Sequence, residues 1–422
     1  VSADNGVVLG LAEKASAHAV AVLDGNRRRG RSVEPPAEFD FTCPSPTTYP
    51  FQWFWDSCFH AIALTHVDHR RAKAELSTLL LGADSSGFIP HMLLWQDDLR
   101  AQAVADFRIA LWDDWRTPTI GPPVLARAVQ RVYRATGDQE WLRGVLPAVL
   151  RHFAWLDARR VGPHGLLLIF QPDESGLDSS PKYDSALGLD PTSATVGAEW
   201  HGAMRRLIGD PAIRRDPHLG ADGRTFAWID VLVNTIYADG LRCLAELVGT
   251  GGEVFARRAD AVLVGMLEHC WDDRRGVFSD VDAVTGRRVD VLTASSLFPL
   301  VLADLPDAVV RRLVDDHLLD ESEFWLDFPV PSVAATEPSF DPDFATEAIF
   351  RGSTWVNLNW YLHSGLRAHG RHDVADELAR RTIDMVARSG LRECYGPFDA
   401  AGHGAERFGW SSLVLDLLDR VQ

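Results

Sequence analysis

Apolar residues recur at helical spacing in one segment after another of this chain while alternating strand patterns are scarce, and that imbalance restricts it to an all-α architecture. The clearest segment carries Leu142, Val145, Leu146, Val149, Leu150 and Phe153 on one face of a helix of about five turns. Ahead of it, Pro122-Pro123 opens a second pattern through Leu125, Val129 and Val132, and Gly137 closes it; two antiparallel helices with a tight turn are predicted. Similar patterns cover about residues 6–25, 54–80, 225–248, 253–270, 289–302, 306–318, 355–369, 372–389 and 409–420. The clearest strand signal runs from Gly276 to Asp280, past Thr285-Gly286 to Val289, and predicts a small hairpin. Two long loops, about 160–190 and about 325–352, interrupt the helices, and loops of that length are more often functional than accidental. No fixed-period repeat and no Ser/Gly linker divides the chain, so residues 1–422 are expected to form a single domain, either a helical toroid or an array of helical bundles.

Composition narrows the functional classes. Lys plus Arg (42) against Asp plus Glu (59) leaves a net charge of −17, which argues against nucleic acid or an anionic membrane as the main partner. The short basic run Arg27-Arg28-Arg29 with Arg31 does not change that. Five cysteines without CxxC spacing point to a reducing compartment and away from zinc-ribbon or thioredoxin chemistry. No stretch approaches 18 apolar residues and the opening segment has no signal-peptide pattern, so a soluble cytoplasmic protein is expected. Fourteen Trp against six Tyr supply large flat apolar faces, suited both to cores and to sugar pockets.

Several common chemistries fall away. There is no GxxxxGK[ST], HExxH or GxSxG; Gly249 to Gly252 reads as a helix stop, and His66 and His69 beside Asp68 read as a solvated helix end. No metal and no cofactor is expected. Carboxylates carry the remaining chemistry, because glycosyl transfer needs one acid to protonate the leaving oxygen and one base to activate water. The stretch Gln171 to Asp184, QPDESGLDSSPKYD, concentrates Asp173, Glu174, Asp178 and Asp184 around Gly176 and Pro181.

The run from Glu174 to Asp184 resembles the acid-bearing loop of glycoside hydrolase family 63 and its trehalase relatives. The resemblance implies Asp178 as general acid. Tyr49-Pro50-Phe51-Gln52-Trp53-Phe54-Trp55-Asp56 is similar to the aromatic motif of the bacterial mannosylglycerate and glucosylglycerate hydrolases in that family, implying that Tyr49, Trp53, Trp55 and Asp56 line a sugar pocket. Pro122-Pro123-Val124-Leu125-Ala126, then Arg351 to Trp360 with Trp355, Asn357, Asn359 and Trp360, resemble further family segments in the right order. Glu393-Cys394-Tyr395-Gly396-Pro397, followed by Phe408-Gly409-Trp410-Ser411-Ser412, is similar to the stretch carrying the base, implying Glu393 in that role. The family fold implied is an (α/α)6 barrel. Departures surround the pocket: Gly121 where Gln is common, Asp173 for Trp, Ser179 for Asn, Lys182 for Arg and Ser353 for Pro.

The expected reaction is inverting hydrolysis of a small α-glucoside or α-mannoside, the two carboxyls about 6.5–9.5 Å apart. Expected substrate contacts are Tyr49, Trp53, Trp55, Asp56, Glu174, Gly176, Trp355, Asn357, Trp360, Tyr395 and Trp410. Glu406 competes with Glu393 as base, and Asp56 could instead cap a helix. A sugar epimerase on the same barrel would use histidines, drawn from His60, His91, His201 and His269; a silent sugar-binding protein is the third reading. An anionic aglycone would need local cations, for which Lys182 and Arg351 are the candidates.

Overall fold

The computed structural model describes residues 2–107, 115–208 and 224–421. The Phe54–Leu64 helix is mostly apolar and every one of its residues, Asp56, Ser57 and His60 included, is buried, as in a helix enclosed on all sides. It packs on Leu125–Thr136, which packs on Val231–Val248; the chain of neighbours continues through Ala294–Val301, Val356–Ala368 and the terminal Gly409–Leu413 turn, which returns to Phe54–Leu64. Six inner segments therefore close a ring. Five carry an outer partner that follows directly in sequence: His69–Leu81, Gln139–Arg159, Glu253–His269, the Asp307–Leu318 stretch and His372–Ser389. The sixth is partnered by Ser2–Gly25, which brings the two ends of the sequence together. The fold is a helical toroid of the (α/α) type, with its core between the two rings.

Local chemistry sets the breaks. The 54–80 pattern divides because the Asp68 carboxylate accepts from Arg70 N and Arg71 N (2.9 and 3.2 Å), capping a new helix at His69. Gly137 and Asp138 separate the two helices expected at 125–159, Asp138 accepting from Trp141 N at 3.0 Å. The 289–302 pattern is a 3-10 segment, Ala294–Val301, because Pro299 removes an N–H that an α-helix would use. The 306–318 pattern begins α-helical and ends in a π-turn, Arg312–Leu318.

The expected hairpin resolves into two. Val277–Phe278 pairs back onto Trp271–Asp272, and Val281–Asp282 pairs with Arg287–Arg288. Val281–Asp282 also joins Trp228–Ile229 and Leu168–Ile169 in a four-stranded sheet. The basic run lies on Arg27–Ser32, an arm paired with Ala37–Thr42, where Arg27 Nε meets Asp40 Oδ1 at 2.7 Å. Helices at Arg100–Phe107 and Val196–Ile208 lie outside the expected patterns. All five cysteines are free and buried, and no described helix is long and apolar enough to cross a membrane.

Candidate active site

Several of the described connections between an outer helix and the next inner one meet at one cavity, so segments far apart in sequence come together there. The stretch entering Phe54–Leu64 supplies Tyr49 and Trp53, the loop after Gln139–Arg159 supplies Phe170 to Ser179, and the strand Arg392–Tyr395 supplies Glu393. Together with Val196–Ile208 and residues 344–349 they enclose a cavity of about 950 Å³.

Asp178 and Glu393 both line it. Glu393 sits on a strand paired with Gly402–Glu406, and its Oε2 accepts from Ala405 N at 2.7 Å while its Oε1 accepts from the Tyr49 hydroxyl at 3.3 Å. This close fit needs Gly404, whose φ is +64°, where a Cβ would lie 2.4 Å from Glu393 Oε2. Burial pushes the Glu393 carboxyl up to about 7 against those two hydrogen bonds. Asp178 is held well above the ordinary carboxylate range, first by burial, then by the charges of Asp173 and Glu393. Its carbonyl accepts from Trp200 Nε1 at 3.2 Å, which ties the acid-bearing loop to Val196–Ile208. Two carboxyls in one cavity thus both have their proton affinity raised.

Behind them stands an aromatic box. Trp55 meets Trp410 edge-on at 5.5 Å, and Trp355 stacks on Phe350 at 3.8 Å and meets Trp410 at 5.6 Å. Trp410 Nε1 donates to the Glu393 carbonyl at 3.2 Å, holding the strand that carries this acid. Gly176 has φ +68°, and a Cβ there would come within 2.5 Å of the Trp55 indole, so the turn before Asp178 is fitted against this box. The Trp expected to touch sugar thus divide, Trp53 lining the cavity and Trp55, Trp355 and Trp410 forming its backing.

Other expected residues are held elsewhere. Glu174 reaches the cavity wall, but its oxygens accept from Arg160 Nη1 and Nη2 (2.6 and 2.7 Å), Phe170 N (2.7 Å) and Ile120 N (3.2 Å). That set pins the loop. Trp360 Nε1 donates to Asp416 Oδ2 at 2.7 Å, and the Tyr395 hydroxyl donates to the Gly390 carbonyl at 2.8 Å; both lie outside the cavity lining. Asn359 fastens the 325–352 loop through Pro329 O and Val330 N (2.7 and 3.1 Å), whereas both polar atoms of the buried Asn357 side chain lack a hydrogen-bond partner. Asp56 is not a helix cap: that position belongs to Trp53, and Asp56 is buried in the first turn with Oδ1 unpartnered. Burial, then the charge of Glu393, holds its carboxyl well above the usual range.

The alternatives meet specific obstacles. Glu406 is 75% exposed and paired with Arg392 at 2.8 Å, outside the cavity lining. Of the four histidines named for an epimerase, His91 and His201 line the cavity and the other two do not. His60 is buried against Thr42 O at 3.0 Å, and His269 stacks on His164 at 3.5 Å. Lys182 and Arg351 are not available to an anionic ligand, because both are buried in ion pairs: Lys182 with Asp230 and Asp280 (2.6 and 3.0 Å), Arg351 with Asp184 (2.9 Å). His66 is no solvated helix end either; it meets Asp416 at 3.0 Å. Among the described residues no cluster of His, Cys, Asp and Glu is arranged to hold a metal ion. Cavity residues that pattern reading missed include Phe170, Trp200, Met204, Arg205, Arg224 and Phe344. Arg224 lies over the Phe170 ring at 3.9 Å.

Comparison with known proteins gives the family and the fold. Residues 49–411 match the model of the mannosylglycerate hydrolase MGH1-like glycoside hydrolase domain. The chain is 29% identical to a mannosylglycerate hydrolase of Thermus thermophilus over 89% of its own length and 95% of the relative's. It is 26% identical to a glucosylglycerate hydrolase of Mycolicibacterium hassiacum over 89% and 94%. A crystal structure of a GH63 mannosylglycerate hydrolase from Thermus thermophilus, in complex with Tris and D-glycerate, superposes with a TM-score of 0.78 at 28% identity, covering 96% of this chain and all of the other.

Proposed function

The chain belongs to the mannosylglycerate hydrolase MGH1-like glycoside hydrolase family and hydrolyses O-glycosyl bonds, and from that premise we propose that it is an inverting α-glycosidase acting on mannosylglycerate, glucosylglycerate or a close analogue. Residues 1–422 act as one catalytic domain in this reading. Asp178 is the general acid and Glu393 the general base. The observation that carries the assignment is that these two carboxyls share one cavity, each with its proton affinity raised by burial, and that Tyr49 and Ala405 N orient Glu393.

Asp178, its proton affinity raised by burial and by the neighbouring charges, gives a proton to the glycosidic oxygen as the bond to the anomeric carbon breaks. Glu393, partly ionised near its value of about 7, takes a proton from a water that attacks the opposite face, so the configuration inverts. Trp53 and Tyr49 present flat and polar edges to the sugar. The net charge of −17 repels an anionic substrate at long range, and Arg205 and Arg224 in the cavity wall supply the local compensation for a carboxylate-bearing aglycone.

The test is sugar release from mannosylglycerate, glucosylglycerate and simple α-glucosides and α-mannosides by the parent, Asp178→Asn and Glu393→Gln. Turnover of a glycerate glycoside that falls at least about a thousandfold in both variants is expected. Undiminished turnover in either variant would remove that residue from its role, and sugar binding by the parent without turnover would assign a silent binder.

A further inference from the structure

Glu174 and Asp173 are neighbours on one 3-10 turn, Pro172–Ser175, with opposite fates. Glu174 is saturated by Arg160 and two backbone N–H groups. Asp173 lines the cavity beside Asp178, and its Oδ1 is buried with no hydrogen-bond partner. Three buried cations on or near this loop are engaged elsewhere, Arg160 with Glu174, Lys182 with Asp230 and Asp280, and Arg351 with Asp184. A buried carboxylate oxygen without a donor is unfavourable in the empty protein, and a donor brought by a ligand relieves that cost.

The position of Asp173 within the cavity identifies which part of the ligand it meets. Asp173 reaches the cavity from the loop that carries Asp178, whereas Glu393 enters it from the strand Arg392–Tyr395. Asp173 therefore belongs to the side of the acid, away from the base. In an inverting displacement the acid stands beside the leaving oxygen and the base beside the attacking water, on opposite faces of the anomeric carbon. A group on the acid's side faces the aglycone.

We propose that Asp173 is a specificity residue of the leaving-group subsite, its Oδ1 accepting a hydroxyl of the aglycone. It rests on the assignment of Asp178 as the acid. The substrate class it selects is glycosides whose aglycone carries a free hydroxyl close to the linkage, such as hydroxy acids and polyols, over aryl or simple alkyl glycosides. Asp173 takes no part in bond making, so its removal acts on binding more than on the chemical step.

The experiment compares mannosylglycerate or glucosylglycerate with the p-nitrophenyl α-glycoside of the same sugar. Asp173→Ala should lower kcat/KM on the glycerate glycoside about 10- to 100-fold more than on the aryl glycoside, mostly through KM. Asp173→Asn, which keeps a carbonyl acceptor and the side-chain shape, should restore part of the difference. Equal losses on both substrates would overturn the proposal, since a merely structural role does not distinguish aglycones. If the parent turns over neither substrate, the hydrolase reading fails separately, and calorimetric binding of mannosylglycerate and methyl α-mannoside to the parent and Asp173→Ala decides the point. Preference for the glycerate glycoside that is lost in Asp173→Ala supports it; a preference retained in the variant, or no binding by the parent, overturns it.

Discussion

Removing the hydroxyl of Tyr49 should move the pH dependence of catalysis in a direction the structure dictates. Tyr49 donates to Glu393 at 3.3 Å, a contact that favours the ionised carboxylate, so Tyr49→Phe raises the proton affinity of Glu393 above its value of about 7. A hydrogen bond to a charged group contributes about 1.5–3 kcal/mol, and at this length the lower figure applies. Because about 1.4 kcal/mol corresponds to one pH unit, the acid limb of kcat/KM moves up by about one unit. The base must be ionised, so at pH 7 the active fraction falls from about one half to about one tenth, a loss of about fivefold. That loss fades as the pH is raised, until Asp178 begins to lose its proton. The assay is a pH series of kcat/KM for the parent and Tyr49→Phe on one glycoside. An acid limb that stays in place or moves down would refute the reasoning, as would a loss independent of pH.

Two further substitutions test the scaffold around the acids. Arg160 and Glu174 are both almost fully buried, and Arg160→Met leaves the Glu174 charge without its cation; destabilisation of about 3–5 kcal/mol is expected in denaturant unfolding, partly recovered in Arg160→Met with Glu174→Gln. A single variant within about 1 kcal/mol of the parent would contradict the pinning role. Gly176→Ala places a Cβ at positive φ against Trp55, with a cost of about 1–2 kcal/mol for the backbone and about 1–3 kcal/mol for the overlap, so a clear drop in unfolding midpoint together with lower activity should follow. Unchanged stability and activity would show that the turn before Asp178 is not fitted to the aromatic box.

How much of this was legible in the sequence depends on the range of the interactions involved. Helical spacing and Gly137 marked the helices at 125–159 because both signals are local, and the runs around Asp178 and Glu393 were recognisable from their neighbours in sequence. The two candidate carboxylates could be named, while the cavity they share could not. The fate of Lys182 depends on Asp230 and Asp280, far along the chain, so no local pattern reveals that its charge is spent. Trp55, Trp355 and Trp410 read the same as Trp53 until the ring closes and puts them behind the cavity wall. The Val196–Ile208 helix did leave a signal in Val196, Trp200, Ala203, Met204 and Leu207, obscured by the Gly-, Asp- and Ser-rich stretch before it. Pro299 likewise announced a departure from α-helix that apolar spacing alone concealed.

The account turns on Asp178 and Glu393 acting from opposite faces of the anomeric carbon, and proton NMR of the first-formed sugar tests that directly. From an α-linked mannosylglycerate or glucosylglycerate the β-anomer should accumulate first and then mutarotate. First appearance of the α-anomer would contradict the acid–base assignment and place a covalent nucleophile in this cavity instead.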